Sequence, residues 1–198
     1  MPPPQPRGRY AKGVERREQI IQTATDVFAT EGFEGTALRR VAEIVGVREA
    51  TLFHYFGSKQ ELLTAVLEER DRRAGQDVAG RHGHLLDALP DIAARNTQQP
   101  GLTTLYAVAS ATANAPGHAS HEYFRSRFAA VVQEVAAGIT ERQQAGTLRA
   151  DLPAEVMARL VVAVSDGLQL QWLYDKTVDM PEGLSALINV AFAPACPQ

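Results

Sequence analysis

Apolar residues recur along much of this chain every three or four positions, the spacing that places them on one side of an α-helix. The first such stripe is formed by Ile20, Ala24, Val27 and Phe28, and it predicts a helix from about Val14 to Glu31. The strict alternation of apolar and polar residues that is typical of strands does not stand out. The pattern therefore predicts an all-α fold.

Two much shorter helices are predicted after this first one. The first has its apolar positions within residues 41–45, and Gly46 ends it because glycine accepts the left-handed backbone of a tight turn. The second runs from about Arg48 to Tyr55, with Leu52 and Phe56 four positions apart on one face. Two short helices joined by a glycine turn are typical of a helix-turn-helix, whose second helix enters the DNA major groove.

The rest of the chain is also predicted to be helical. Ser58 followed three positions later by Glu61 is a capping box, so a helix is expected to start there and to link the two parts of the chain over residues 58–80. Proline and glycine then divide the remaining pattern into segments. Helices are expected at about 85–95, 102–114, 118–145, 154–174 and 181–192.

The short-helix pair and its flanks resemble the TetR family of transcriptional regulators. The matching positions are Thr36, Val41-Ala42, Val45-Gly46-Val47, Thr51-Leu52-Phe53, Tyr55-Phe56, Ser58-Lys59 and Leu62, and the stretch 17–33 fits the family's first helix. The resemblance implies a homodimeric regulator of a palindromic operator, and a repressor released by a small-molecule effector is the favoured interpretation, although an activator would have the same sequence features. With the helix pattern, it divides the chain into a flexible basic arm (1–13), a three-helix DNA-binding domain (14–57), a linking helix (58–80) and a helical effector-binding and dimerisation domain (81–198).

Four positions depart from the family's usual residues. Val45 replaces an alanine, Arg48 replaces a serine that caps the second short helix, and Ala50 replaces a glycine. Phe53 lacks the hydroxyl group of a common tyrosine. The last three lie on the side expected to face DNA, so the base sequence read and the phosphate contact at position 53 need not follow the family.

Eight residues are expected to contact DNA. Arginine pairs bidentately with guanine and threonine can touch a thymine methyl group, so Arg48 and Thr51 are the expected base readers. Glu49 faces the same way and either selects cytosine or orients Arg48. Phosphate contacts are expected from residues that donate hydrogen bonds or supply positive charge. The full set is Thr36, Arg48, Glu49, Thr51, Phe53, His54, Tyr55 and Lys59.

The expected effector site lies in the second domain. An aromatic lining with few polar groups is the usual composition of a small-molecule site, although each of these residues would suit an ordinary core as well. Gln169 and Asp166 could bind a ligand or join two helices by a hydrogen bond. The predicted lining residues are Tyr106, Ser110, Asn114, Tyr123, Phe124, Phe128, Gln169 and Trp172.

A dimer interface is expected along the last two helices. The run 166–173 is similar to the penultimate helix of many TetR regulators, where the last two helices pair with those of a second subunit. Apolar residues occupy more than one face of this helix, as they would in a helix that contacts both its own core and a partner. The predicted interface residues are Leu168, Trp172, Leu184, Leu187 and Ile188.

Charge is distributed unevenly along the 198 residues. The formal net charge is −3, but residues 1–60 hold nine Lys and Arg against seven Asp and Glu, a net of +2, and the remainder holds eleven against sixteen, a net of −5. A positive amino-terminal third suits DNA, whose affinity depends on local charge. The arm could lie along DNA or could have no role.

A lone Cys196 excludes an intrachain disulfide, and no apolar run is long enough to span a bilayer, so we expect a cytoplasmic protein with no membrane partner.

An enzyme or a small-molecule carrier with the same helical cavity is the alternative function. It would require a convergent acid–base or metal constellation, and we find no nucleophile elbow, phosphate-binding glycine loop or HExxH motif. His118 and His121 could share a metal ion, but without a third ligand an incidental surface pair is the favoured interpretation. We therefore expect no catalytic residues, no metal site and no cofactor.

Overall fold

The computed structural model describes residues 7–79, 81–115 and 117–194. It confirms the all-α fold: within these residues there are helices, turns and bends but no strand. The helices are α1 (Arg7–Glu31), α2 (Leu38–Val45), α3 (Glu49–Phe56), α4 (Lys59–Ala79), α5 (Leu85–Thr97), α6 (Pro100–Thr112), α7 (His121–Gln144), α8 (Ala154–Tyr174) and α9 (Met180–Ala186), followed by a π-helical segment (Leu187–Ala191).

The first compact unit ends at Arg70, inside α4. Helices α1, α2 and α3 pack against one another in that order along the chain. The predicted apolar positions of all three helices are buried, because each side chain falls on the face that its neighbours cover. They are Ile20, Ala24, Val27 and Phe28 of α1, Val41, Ala42 and Val45 of α2, and Leu52 and Phe56 of α3.

Helix α1 begins earlier than the sequence pattern predicts. It starts at Arg7, about two turns before Val14. The structure thus places residues 7–13 of the predicted flexible arm in α1, and residues 1–6 lie outside the described residues. The last proline of this terminus is Pro6, and every residue from Arg7 to Glu31 has the backbone N–H that a helix needs.

The turn between α2 and α3 is set by Gly46, whose φ of 74° lies in the left-handed region. The N–H group of Val47 donates to the carbonyl oxygen of Ala42 at 3.0 Å, and the N–H group of Gly46 donates to that of Glu43 at 3.2 Å. These bonds satisfy carbonyl groups that the end of α2 would leave without partners. The turn fixes the direction in which α3 leaves α2.

Replacing Gly46 with alanine is expected to destabilise the protein by about 1–2 kcal/mol. A Cβ atom at this position would meet nothing within 4 Å, so the cost comes from the left-handed backbone and not from a clash. Urea unfolding of the full chain measures it. Gly13→Ala is the matched control, because Gly13 lies inside α1 with equally open space, and alanine there should be neutral or slightly stabilising. Equal effects of the two substitutions would contradict this account of the turn.

Helix α4 starts with the predicted capping box. The N–H group of Glu61 donates to Ser58 Oγ at 3.0 Å, and Ser58 Oγ lies 3.3 Å from Glu61 Oε1. The capping residue holds free N–H groups of the first turn and so fixes where the helix begins. From there α4 continues without a break to Ala79, so this one helix belongs to both compact units.

The second unit, from Asp71 onward, has its own core. Helices α7 and α8 pack along each other, and α5 packs against α7 and α9. The N-cap of α9 is Asp179, whose carboxylate accepts from the N–H group of Glu182 at 2.9 Å. The buried members of this core are Leu86, Leu89, Ala93, Val132, Val135, Ile139, Leu148, Met157, Ala158, Val161, Trp172, Met180, Leu184, Ile188 and Phe192.

Some helix bounds in this unit differ from those predicted. Helix α8 spans the predicted residues 154–174, but α6 begins at Pro100, which the sequence interpretation took for a break. Proline is well suited to the first turn of a helix because its missing N–H group would have no partner there. The last predicted helix, 181–192, is divided into α9 and the π-helical segment.

Candidate nucleic-acid interface and effector site

Helix α3 turns one side to the core and the other to solvent. Its buried side carries Leu52 and Phe56, which are 1% and 5% exposed. Five of the eight predicted DNA-contacting residues lie on α3, and a sixth, Arg48, occupies its N-cap position. Of these six, Arg48, Glu49, Phe53 and His54 are exposed, and Thr51 and Tyr55 are half-buried.

Arg48 occupies the N-cap position of α3, but its side chain makes no capping hydrogen bond. An arginine has no acceptor atom for the first N–H groups of a helix, in contrast to the serine common in the family. The backbone carbonyl of Arg48 accepts from the N–H group of Thr51 at 2.8 Å and starts the helix instead. The guanidinium group is therefore left at the exposed amino-terminal end of α3.

The two other predicted DNA contacts are placed differently. Thr36 is 2% exposed, and its hydroxyl group donates to the carbonyl oxygen of Gly32 at 2.6 Å. The N-cap of α2 is Ala37, so Thr36 lies one residue before the cap and does not cap that helix. The ammonium group of Lys59 lies 4.3 Å from the centre of the Phe33 ring and donates to the carbonyl oxygen of Glu34 at 3.4 Å. Both side chains hold the turn between α1 and α2.

Two arginines of α1 contact the helix-turn-helix, a role that the sequence interpretation did not assign. Arg16 donates to the carbonyl oxygen of Val45 at 3.5 Å, where α2 ends, and the guanidinium carbon of Arg17 lies 5.2 Å from the centre of the Phe56 ring. The end of α2 has carbonyl groups that attract a cation. Arg16 and Arg17 lie four and three residues before Ile20, and therefore near the face of α1 that packs on α2. This spacing is the sequence signal that could have predicted the two contacts.

The aromatic residues that were predicted to line the effector site on α6 and α7 form one cluster. We define this aromatic cluster as Tyr106, Tyr123, Phe124 and Phe128. The ring of Phe124 lies at its centre, 5.7 Å from Tyr106, 4.9 Å from Tyr123 and 6.3 Å from Phe128 between ring centroids. Such offset and edge contacts between rings are favourable beyond the area they bury. The structure thus brings together four of the five aromatic residues of the predicted lining.

A polar cluster adjoins these rings, and the sequence interpretation missed its charged members. Arg127 of α7 donates through Nε to Asp71 Oδ2 of α4 at 2.7 Å and through a terminal nitrogen to the Tyr106 hydroxyl at 2.9 Å. The Tyr123 hydroxyl donates to the same Asp71 oxygen at 2.6 Å. We call these four residues, Asp71, Tyr106, Tyr123 and Arg127, the polar cluster.

The polar cluster is well shielded from solvent. The side chains of Arg127 and Asp71 are 20% and 27% exposed, and Tyr106 is 2% exposed. Burial alone would lower the pKa of Arg127, but the attraction of Tyr106 and then Asp71 outweighs it and raises that pKa above its usual value. The guanidinium group therefore stays charged, and it lies 4.8 Å from the centre of the Tyr106 ring.

The remaining predicted effector residues have other neighbours. The Ser110 hydroxyl donates to the carbonyl oxygen of Ala107 at 2.9 Å, and Asn114 is exposed beyond the end of α6. Gln169 is 6% exposed and its side-chain oxygen accepts from Asn96 at 3.3 Å, so it joins two helices. Trp172 belongs to the core of the second unit, and the Lys176 ammonium group lies 3.4 Å from the centre of its ring.

The predicted interface residues lie mainly inside the chain's own core. Trp172, Leu184 and Ile188 are 5%, 1% and 4% exposed, and Leu168 and Leu187 are half-buried against the same core. A different set on α8, which we call the α8 stripe, is exposed except for its half-buried member Gly167. Its members recur every three or four residues: Val156, Leu160, Ala163, Gly167, Leu170 and Tyr174.

The histidines near the start of α7 have bonds within the chain. His118 Nδ1 accepts from the N–H group of Ser120 at 3.1 Å, and His121 Nδ1 lies 2.9 Å from the carbonyl oxygen of Ala113. Across the described residues, no group of three or more His, Cys, Asp or Glu side chains is arranged to hold a metal ion. In the same part of the chain, no helix combines the length and the apolar character needed to cross a bilayer.

Comparison with known proteins agrees with this arrangement. Residues 20–66 match the model of a family described as bacterial regulatory proteins, tetR family. The transcriptional repressor Rv1474c of Mycobacterium tuberculosis is 31% identical over 157 residues, which cover 77% of this chain and 80% of that protein. The chain belongs to the TetR family.

Two further similarities extend over most of this TetR-family chain. The transcriptional repressor AcnR of Corynebacterium diphtheriae is 28% identical over 156 residues, covering 77% of this chain and 78% of that protein. A solved structure of a protein from Saccharomonospora viridis in complex with choline superposes with a TM-score of 0.76 at 22% identity, covering 91% of this chain and 98% of that one. Both curated relatives are named as transcriptional repressors, which are not enzymes.

Proposed function

We propose that this TetR-family chain acts in the cytoplasm as a homodimeric repressor. It binds a palindromic operator through the α3 helices of two subunits, and a small-molecule effector held in the second unit releases it. The observation that carries the proposal is the exposed side of α3, where Arg48, Glu49 and His54 face solvent opposite the buried Leu52 and Phe56. A helix with this division can enter a major groove and present its polar groups to base edges.

The α8 stripe supports the homodimer. Its four large side chains are exposed: Val156, Leu160, Leu170 and Tyr174 are 45%, 45%, 52% and 89% exposed. Small residues, Ala163 and Gly167, lie between them and would let a second helix approach closely. A contiguous apolar surface of this kind marks an interaction site, and a two-fold pair of α8 helices would bury it on both subunits.

The aromatic cluster supports the effector site. Phe124 and its three neighbours combine a large apolar surface with two phenol groups and a charged arginine at one edge. Few polar groups beside aromatic walls are the usual composition of small-molecule sites. The protein of the same fold that was solved with choline adds an example of a small molecule held by this architecture.

The direct test is selection of DNA fragments by the purified full chain, followed by titration of the selected sequence. We expect enrichment of an inverted repeat whose half-sites are spaced by about 34–36 Å, one turn of DNA, or a multiple of it. Enrichment of no sequence, together with turnover of a small molecule, would favour the alternative of an enzyme that uses the same helical unit.

Arg48→Ala is expected to relax the sequence preference by about 1–3 kcal/mol at one base pair of each half-site. Arginine reads guanine through paired hydrogen bonds, and alanine cannot replace them. Affinities for the selected operator and for its single-base variants measure the change. Arg159→Ala is the matched control, because Arg159 is an exposed arginine of α8 paired with Glu155 at 2.8 Å. Unchanged preference in Arg48→Ala would place the base reader elsewhere on α3.

A further inference from the structure

The polar cluster joins α4 to the effector-binding helices through a single carboxylate. Asp71 Oδ2 accepts from Arg127 Nε at 2.7 Å and from the Tyr123 hydroxyl at 2.6 Å. Among the described residues, Asp71 is the acid that lies within ion-pair distance of Arg127. A carboxylate is therefore the group for which these two donors are arranged.

We propose that Arg127 and Tyr123 form the anchor for the carboxylate group of the effector, and that Asp71 occupies this anchor in the effector-free protein. The inference rests on the proposed effector response and specifies the ligand as a carboxylic acid. An incoming carboxylate has the same shape and charge as the Asp71 side chain, so it can accept the same two hydrogen bonds.

The aromatic cluster defines the remainder of the ligand. The Phe124 ring and its neighbours lie beside the anchor, with ring centroids 4.9–6.3 Å apart. Contact with these rings supplies binding energy that Asp71, with its short side chain, does not have. A cationic ligand is disfavoured because the Arg127 guanidinium group already lies 4.8 Å from the centre of the Tyr106 ring. The expected effector is thus a carboxylate with an apolar or aromatic body.

Displacement of Asp71 would also explain how binding reaches the DNA-binding unit. Asp71 belongs to α4, which starts at the Ser58–Glu61 capping box and continues to Ala79. While Asp71 is bonded to Arg127 and Tyr123, this part of α4 is tied to α7. A ligand that accepts the hydrogen bonds of Arg127 and Tyr123 in place of Asp71 removes these two contacts between α4 and α7. Such a ligand binds more tightly to the state in which the two contacts are broken, and this difference in affinity is the requirement for an allosteric effect.

Chemical rescue tests the anchor without DNA. Asp71→Ala should lower the thermal unfolding midpoint of the full chain by about 5–10 °C, because it leaves the arginine without its countercharge. Sodium acetate should then recover a large part of this loss in a saturable way, since a ligand that binds the folded state stabilises it. Sodium chloride at the same ionic strength should not. If Asp71→Ala does not fold, Asp71→Ser carries the same titration.

Two variants show whether the acetate acts at the anchor. In Asp71→Ala/Arg127→Met the rescue should disappear, because methionine keeps the bulk of the side chain but removes the charge. Glu122→Ala removes the carboxylate of an exposed pair with Arg125, whose side chains are 68% and 67% exposed, and acetate should not affect it. Equal stabilisation of all three variants by acetate, or no stabilisation of Asp71→Ala or Asp71→Ser, would overturn the inference.

Operator binding separates this inference from the proposed function. In the wild-type chain, sodium benzoate must compete with Asp71, and it should weaken operator binding saturably, whereas benzamide should not. If acetate rescues Asp71→Ala but the protein selects no DNA, the anchor stands and the repressor proposal fails. If the protein binds its operator but shows no rescue, the repressor proposal stands and the carboxylate anchor fails.

Discussion

Replacing Leu170 with glutamate is expected to convert the protein to a monomer that no longer binds operator DNA. Leu170 is 52% exposed in the middle of the α8 stripe. In a two-fold interface the same residue occurs twice, so two carboxylates would be placed in one apolar contact. At about 2 kcal/mol for each copy, the dimer weakens by about 4 kcal/mol, or roughly a thousandfold in its dissociation constant.

Sedimentation velocity and operator titration of the same preparation measure both consequences. Val108→Glu is the matched control, because Val108 is 50% exposed on α6, outside the stripe, and it should leave the dimer and its operator affinity unchanged. A Leu170→Glu protein that still sediments as a dimer would show that the stripe serves another partner. Leu187 is a poorer choice for this test, because it packs against the core and glutamate there would also disturb the fold.

The sequence predicts the fold well where the deciding signals are local. The stripe that contains Ile20 and Phe28 is buried as expected, and the Ser58–Glu61 capping box forms with the expected hydrogen bond. Periodicity and capping depend on residues a few positions apart, which a helix brings together whatever else the chain does. The start of α1 at Arg7 is a different case, because no Ser, Thr, Asp or Asn precedes Arg7 in the sequence to predict a cap there.

Only part of the proposed effector site could be predicted from the sequence. Tyr123 and Phe124 could be listed because aromatic residues stand out, but the Arg127–Asp71 pair joins residues 56 positions apart. No local pattern encodes such a contact, since each side chain taken alone looks like an ordinary charge on a helix surface. Arg127 lies four positions after Tyr123 and therefore on the same face of α7. An arginine on an aromatic face is the signal that could have been used.

The proposed dimer interface shows a second limit of prediction from the sequence. Leu184 and Ile188 are apolar and lie at helical spacing, which is equally true of a core and of an interface. The structure assigns them to the core, at 1% and 4% exposed, and leaves Leu160 and Leu170 of α8 on the surface. Only the packing of α8 against its neighbours distinguishes its buried face from its exposed face, so the sequence alone could not predict which residues of α8 are left on the surface.

The charged pair of the polar cluster is expected to show strong energetic coupling in a double-mutant cycle. Arg127→Met alone leaves the Asp71 carboxylate in a site where it is only 27% exposed, and Asp71→Ala alone leaves the Arg127 guanidinium 20% exposed. Removing one partner of a buried pair costs about 3–5 kcal/mol, and we expect about 3 here because neither side chain is completely buried.

The double variant should cost much less than the sum of the two single variants, because removing both charges leaves neither member of this pair without the other. Urea unfolding of the four proteins gives the coupling energy, which we expect at about 2–3 kcal/mol. The matched control is the cycle for Arg159 and Glu155 of α8, a pair whose side chains are 66% and 67% exposed, where about 0.3–0.5 kcal/mol is typical. If both cycles gave equally small values, the polar cluster would be a hydrated surface contact and could not hold α4 to α7.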